Sequence, residues 1–303
     1  MRLTFKKNYN EYEKGTNMFW FQIRWFLTFV VVFSDNQPHQ SNQCSILTMI
    51  YFIGAGPGDV DLITVKGRRL LEAADVVIYA GSLVWDAHLR FCKPECERYD
   101  SAGMTLEAVV DIMARAEADG KMTARLHTGD PTIYGAIGEQ MAALDVRGIA
   151  YEVVPGVSSF TASCAALKRE FTVPNVSQTV IVTRLEGRTP VPPLESLESL
   201  AAHRCSLAIF LSVQEIETVV AKLKTGYGRD DVPVAVVYKA TWPDQRIVRG
   251  TLADIAEKIR AAGINNFAQI LVGDFLNAHD KRSLLYHPDF SHGFRKRSVK
   301  ALL

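Results

Sequence analysis

The sequence predicts an α/β protein in two parts, a mostly parallel sheet first and a mixed sheet second. Three observations carry that prediction. From Met49 onward, short apolar runs alternate with helical patterns, as expected for strands joined by helical crossovers. Three early strands run directly into loops rich in glycine, proline or hydroxyls, at residues 54–58, 127–135 and 155–159. Two late strands, 234–239 and 246–251, are separated by only six residues. That is too short for a parallel crossover, so the two should pair antiparallel.

The elements follow in order. Residues 50–53 are apolar and β-prone, and the stretch GAGPGD turns the chain into a helix near 64–74. A strand at 76–80 comes next, then a helix at 106–119 with Leu106, Val109, Val110 and Met113 on one face. Thr105 is its expected N-cap and Gly120 its stop. A strand at 123–126 leads into HTGDPTIYG, a helix extends to about residue 147, and a strand at 149–154 ends in PGVSS. The pattern loosens at 168–177, which places the domain boundary there. Strands recur at 179–183, 207–211, 234–239, 246–251 and 269–274. Ser212-x-x-Glu215 reads as a capping box for a helix with Ile216, Val219, Val220 and Leu223 buried. A last helix, 252–262, stops at Gly263. Residues 186–193, EGRTPVPP, are too rich in proline for a central strand and read as an exposed loop or lid. The expected division is an extension at 1–48, an α/β domain at 49–172, a second α/β domain at 173–278 and a basic tail at 279–303.

Composition limits the function classes. The chain has 303 residues, 48% hydrophobic and 22% charged, enough for two moderate domains. A net charge of +1 supplies no global attraction to nucleic acid. The five cysteines, Cys44, Cys92, Cys96, Cys164 and Cys205, include one C-x3-C and no second pair. They read as reduced thiols, with no metal site, in a cytoplasmic protein. Residues 18–33 form an aromatic-rich run broken by Gln22 and Arg24, shorter than the roughly 20 residues of a spanning helix. One reading is a membrane anchor. The other, adopted here, is that the native protein starts at Met49 and that membrane attachment is not expected.

The glycine turn is the first functional clue. Glycine lets a ligand approach the main chain, and ligands of open α/β sheets collect at the carboxyl ends of strands. GAGPGD is not the dinucleotide fingerprint, which requires a glycine where Asp59 stands. Pro57 also lacks an amide donor. The turn therefore reads as a stiff wall beside an uncharged part of a ligand, and three loops of this kind point to one pocket. Asp130 and Tyr134 have two readings, a ligand contact or a structural turn with a packed aromatic. His127 reads as a packed residue, and no residue is singled out as a general base.

Taken together, YFIGAGPGDVDLITVKG, VIYAGSLV, HTGDPTIYGAIGEQ, VVPGVSSF, TRLEGRTPVP and FSHGFR resemble the tetrapyrrole methylase family over about residues 49–297. The resemblance implies two α/β domains with S-adenosylmethionine in the cleft between them, generally in a homodimer. YAGSLV and EGRTPVP resemble the branch that methylates C-11 of precorrin-4, with or without cobalt, in cobalamin (vitamin B12) biosynthesis. By position, Pro57 should border the cofactor. Thr128, Gly129, Asp130 and Ile133 should contact its methionine and ribose portions, with Ser158 and Ser159 close by. Leu211 and Ala240 should lie around the adenosine. Uroporphyrinogen methyltransferases of the family carry an aspartate after the tyrosine of the second strand, and Ala80 stands there instead, which argues against that reaction. Arg184 and Arg188 flank the proline-rich loop and are the candidates for the carboxylates of a tetrapyrrole substrate. Alternatives kept open are methylation of another corrin carbon, an RNA methyltransferase of the same broad fold, which a net charge of +1 does not favour, and a non-catalytic tetrapyrrole carrier.

Overall fold

The computed structural model describes residues 49–81, 83–187, 189–278, 283 and 290–295. The N-terminal extension with its aromatic run, Cys44, Arg188 and most of the basic tail lie outside the described residues.

The first half contains β1 (Ile50–Gly54), α1 (Val65–Ala73), β2 (Val76–Tyr79), β3 (Glu97–Asp100), α2 (Leu106–Ala118), β4 (Thr123–His127), α3 (Ile137–Val146), β5 (Tyr151–Val154) and α4 (Ser159–Ala166). Its five strands lie in the order β3-β2-β4-β1-β5 and are all parallel. Central β1 is buried on both faces, which is why its residues are a continuous apolar run rather than an alternating one. Thr64 caps α1 by accepting from Gly67 N at 3.0 Å, and Thr105 caps α2 by accepting from Ala108 N at 3.3 Å. Gly120 ends α2 in the left-handed region at φ 71°. The stripe Val109, Val110 and Met113 is buried together with Ile112 and Ala116.

The second half adds β6 (Val180–Arg184), α5 (Leu197–Ala201), β7 (Ser206–Phe210), α6 (Ile216–Tyr227), β8 (Pro233–Tyr238), β9 (Arg246–Thr251), α7 (Ile255–Ala261) and β10 (Ala268–Val272). The order is β6-β7-β10-β8-β9. β6 and β7 are parallel, while β7–β10, β10–β8 and β8–β9 are antiparallel. The expected parallel-then-mixed α/β architecture is what the chain adopts.

Three elements lie outside the sequence expectation. β3, ERYD, is a largely exposed edge strand whose residues carry no apolar alternation. α4 is built mostly of small residues without an amphipathic stripe, and α5 has only five residues. The capping box at Ser212 is corrected. Its hydroxyl donates to Phe210 O at 2.5 Å and accepts from Leu185 N at 2.8 Å, and the chain passes through a 3-10 turn at Val213–Glu215 before α6 begins. The serine satisfies the loop that leaves β6 instead of the helix that follows it.

Candidate active site

Because β4, β1 and β5 are neighbours in that order, the loops after these three strands emerge side by side. Gly56 N donates to Gly129 O at 3.2 Å and Gly129 N to Gly56 O at 2.8 Å, while Ala55 N donates to His127 O at 2.8 Å. Both glycines are left-handed, φ 83° and 62°. A Cβ on Gly54 would come within 2.6 Å of Gly156 Cα and 2.7 Å of Gly129 O. The three loops therefore touch backbone to backbone, which no larger residue permits. Asp130 joins two of them: Oδ1 accepts from Thr132 N at 2.8 Å and from Thr132 Oγ1 at 2.5 Å, and Oδ2 accepts from Gly156 N at 3.1 Å. Its carboxylate is largely engaged within the chain, as a structural turn requires, and the same residue lines the cavity described below. That leaves room on Oδ2 for one more donor.

The second half closes over this node. Trp242 Nε1 donates to Pro57 O at 2.8 Å, Asp59 N donates to Thr241 Oγ1 at 2.9 Å, and Ser159 Oγ donates to Gln269 Oε1 at 3.0 Å. The Gln269 amide is itself oriented by donating Nε2 to Ile209 O at 2.9 Å. Trp85 and Trp242 pair at 5.7 Å between ring centroids, and Tyr134 and Phe210 at 5.2 Å. Between these contacts lies a cavity of about 370 Å³, within the usual range for a small-molecule site. Pro57, Thr128, Gly129, Asp130, Ile133, Ser158, Ser159, Leu211 and Ala240 all line it. The nine positions singled out from the sequence, spread over 184 residues of chain, thus meet at one place.

Sequence reasoning missed Trp242, Lys239, Phe267, Asn265, Asn266 and Gln269, which share that lining. One signal would have been unreadable in any case. Tyr134, Leu211, Lys239 and Phe267 are left-handed at φ 55°, 53°, 46° and 50°, and all four line the cavity. Non-glycine residues in this region cost of order 1–3 kcal/mol each and gather at functional sites. Trp242 sits in KATWP beside the singled-out Ala240, and its indole N–H was the available clue.

The electrostatics of the lining are simple. Among the described residues Asp130 and Lys239 are its only charged ones, and the Lys239 ammonium is already paired with Asp244 at 2.7 Å. Burial raises the Tyr134 phenol above its ordinary pKa. His127, outside the lining, is 6% exposed and packs 6.0 Å from Phe52, as a packed residue should. Burial and then the neighbouring Arg125 charge depress its pKa to about 3. His88 sits 2.9 Å from both Trp85 O and Ala55 O, and burial holds its pKa below the ordinary value.

Arg184 is occupied elsewhere. Its guanidinium donates to Leu185 O, Thr189 O and Pro190 O at 3.1, 3.1 and 2.9 Å. Those bonds fasten the proline-rich loop, which Lys222 braces further by pairing with Glu186 and Glu198, each at 2.7 Å. Arg184 is therefore brought to the loop and not to the cavity lining, and Arg188 lies outside the described residues. Among the described residues Cys92, Cys96, Cys164 and Cys205 are free and buried, no group of histidine, cysteine and carboxylate side chains could hold a metal ion, and no helix is long and apolar enough to cross a membrane.

Comparison with known proteins places this geometry. The family model of tetrapyrrole (corrin/porphyrin) methylases matches residues 49–256. The chain is 52% identical over 252 residues to the cobalt-precorrin-4 C(11)-methyltransferase of Methanocaldococcus jannaschii, covering 83% of this chain and 97% of that protein. A crystal structure of a cobalt precorrin-4 methyltransferase of cobalamin biosynthesis superposes with a TM-score of 0.74 at 50% identity, over 76% of this chain and 96% of the other. The uroporphyrin-III C-methyltransferase of Thermus thermophilus, solved with S-adenosyl homocysteine, superposes with a TM-score of 0.64 at 25% identity, over 77% and 96%.

Proposed function

Because this chain belongs to the tetrapyrrole methylase family, we propose that it transfers the methyl group of S-adenosylmethionine to C-11 of precorrin-4, or of its cobalt complex, in cobalamin biosynthesis. The observation that carries the reading is the convergence of three strand-end loops and two second-half loops on a single cavity lined by the nine singled-out residues.

The lining suits such a cofactor. Pro57, Ile133, Leu211 and Ala240 offer apolar walls, Thr128, Ser158, Ser159, Asn265 and Asn266 offer hydrogen-bonding groups, and among the described lining residues the one carboxylate, Asp130, is not matched by a free cation. That balance favours a ligand bearing positive charge over a phosphate. Pro57 presents no amide donor, and its carbonyl is already taken by Trp242. Bound S-adenosylmethionine supplies a methyl group on a sulfonium, electrophilic enough for an electron-rich ring carbon without a protein nucleophile. The protein's task is then to position and to exclude water. Orienting the two reactants can supply on the order of 7–11 kcal/mol of the barrier, and rigid walls of backbone meet that need better than mobile side chains. A volume of about 370 Å³ accommodates one nucleoside-bearing ligand, so the tetrapyrrole lies at the mouth, near Tyr134 and Leu211, which remain 44% and 72% exposed. The enzyme acts as a cytoplasmic homodimer on this reading.

The test is incubation of the purified full chain with methyl-labelled S-adenosylmethionine and precorrin-4, with and without cobalt, followed by mass analysis and carbon assignment of the product. One added methyl at C-11 is expected. No gain of a methyl would overturn the enzyme reading, and a methyl at another carbon would overturn the regiochemistry alone.

A further inference from the structure

Next to the cofactor cavity, the parallel sheet buries a cation that has no anion among the described residues. Ala124 and Leu126 of β4 pack into one core layer, so Arg125 and His127 project from the opposite face of the strand. Arg125 is 7% exposed. Its Nε donates to Gln140 Oε1 at 3.2 Å and its Nη1 to Ser101 Oγ at 3.0 Å, both neutral acceptors. No ion pair among the described residues includes it, and Nη2 makes no hydrogen bond to a described residue. Two positions along the same face, His127 Nε2 is buried without a hydrogen-bond partner among the described residues. An uncompensated buried charge costs several kcal/mol, and an unpaired buried polar atom adds about 1–3 kcal/mol.

The register shows where this group sits. Tyr79 pairs with Leu126 on one side and Asp100 on the other, and Ser101, one residue beyond β3, donates its hydroxyl to Tyr79 O at 3.0 Å. A guanidinium that reaches Ser101 has therefore passed the level of Leu126 and lies at the carboxyl ends of β2, β3 and β4. The loop bearing Thr128, Gly129 and Asp130 leaves β4 from the same edge, where ligands of parallel sheets gather. Gln140, which orients Arg125, is tied by Nε2 at 2.9 Å to Ala136 O, the end of the strained turn carrying Tyr134 at the cavity mouth.

We propose that Arg125, assisted by Ser101 and His127 Nε2, is an anchor for one carboxylate of the acidic tetrapyrrole, at the carboxyl ends of β2, β3 and β4. The inference rests on the substrate reading above. A carboxylate here would meet a planar guanidinium fork with free donor capacity and an imidazole nitrogen able to donate when neutral. Arg125 is thus a substrate-binding residue that helps to fix which ring carbon faces the methyl donor.

The decisive variants are Arg125→Met and Arg125→Lys in the full chain. The expected result for methionine is a KM for precorrin-4 raised at least about tenfold. The affinity for S-adenosylhomocysteine by titration calorimetry should stay within about twofold, and the melting temperature should not fall, because removing an unpaired buried charge is neutral or stabilising. Lysine should recover part of the KM. A lowered melting temperature with an unchanged KM, or a loss of cofactor affinity as large as the loss in KM, would assign Arg125 to structure and overturn the proposal. Should Arg125→Met not fold, wild-type protein carrying 15N-histidine is titrated with uroporphyrin, a stable acidic tetrapyrrole, with the His127 signal identified by its loss in His127→Phe. A shifted Nε2 resonance is expected, and an unmoved one, as a purely water-bridged pair would give, overturns the proposal. If wild-type protein neither methylates precorrin-4 nor binds uroporphyrin, the substrate reading itself has failed. If it methylates precorrin-4 and Arg125→Met keeps the wild-type KM, only the anchor has failed.

Discussion

Trp242 Nε1 donates to the carbonyl oxygen of Pro57 at 2.8 Å across 185 positions of sequence, and through this bond the two halves of the chain share the wall of one cavity. The indole also lies flat enough against the turn that a Cβ on Gly58 would come within 2.5 Å of its Nε1. Gly58 is small because Trp242 occupies the space a side chain would need.

Trp242→Phe keeps a ring over Gly58 and removes the donor. A hydrogen bond of this kind contributes about 1 kcal/mol net, so affinity for S-adenosylhomocysteine should fall about fivefold while the melting temperature changes little. Calorimetric titration measures it, and an unchanged affinity would show that the contact is incidental to the cavity.

Gly54→Ala tests the glycine node. The added methyl overlaps backbone atoms of Gly156 and Gly129, which no rotamer change relieves, so a loss of about 2–3 kcal/mol is expected from overpacking. Denaturant unfolding reads the stability and the same titration reads cofactor binding. Both should be lost together, since the atoms displaced belong to the cavity's floor.

Asp130→Ala removes the acceptor for two backbone amides and one hydroxyl. Charge-assisted bonds of this type contribute about 1.5–3 kcal/mol each, so the variant should be less stable by a few kcal/mol and bind cofactor at least tenfold more weakly. Asp130→Asn retains Oδ1 toward Thr132 but presents an amide to Gly156 N, and it should lose less stability than alanine. Equal stability of wild type and alanine variant would contradict a splice between the loops.

Stability should decline in acid through His127. Its pKa in the fold, about 3, lies below the ordinary 6.5, so the unfolded chain binds the proton first as pH drops. Stability contributed by the neutral ring is complete above about pH 6.5 and is lost as pH falls toward 3, at a slope of up to about 1.4 kcal/mol per pH unit. Unfolding free energies measured from pH 7 to 4 should show this slope, and His127→Phe should flatten it. A slope unchanged by the substitution would place the effect elsewhere, with His88 the next group to test because burial depresses its pKa too.

What the sequence determined by itself is local and repetitive. Alternating apolar runs and helical stripes sufficed for the α/β architecture, the short link between β8 and β9 for an antiparallel pair, and Thr105 and Gly120 for the ends of α2, because each depends on neighbours a few residues away. The nine cavity positions were legible too, through strand-end glycines and a family resemblance. The tertiary structure decided what depends on partners distant in the chain. Ser212 could have capped α6 or tied the loop after β6, and only the arrival of Leu185 N settles which. Arg184 and Arg125 look alike in sequence, yet one meets three carbonyl oxygens and the other is buried with neutral acceptors and no anion among the described residues. Left-handed backbone at Tyr134, Leu211, Lys239 and Phe267 has no residue signature, since these side chains ordinarily avoid it and hold it only where surrounding contacts outweigh the strain. The bond from Trp242 to Pro57 is of the same kind, fixed by two sheets that bring distant loops together.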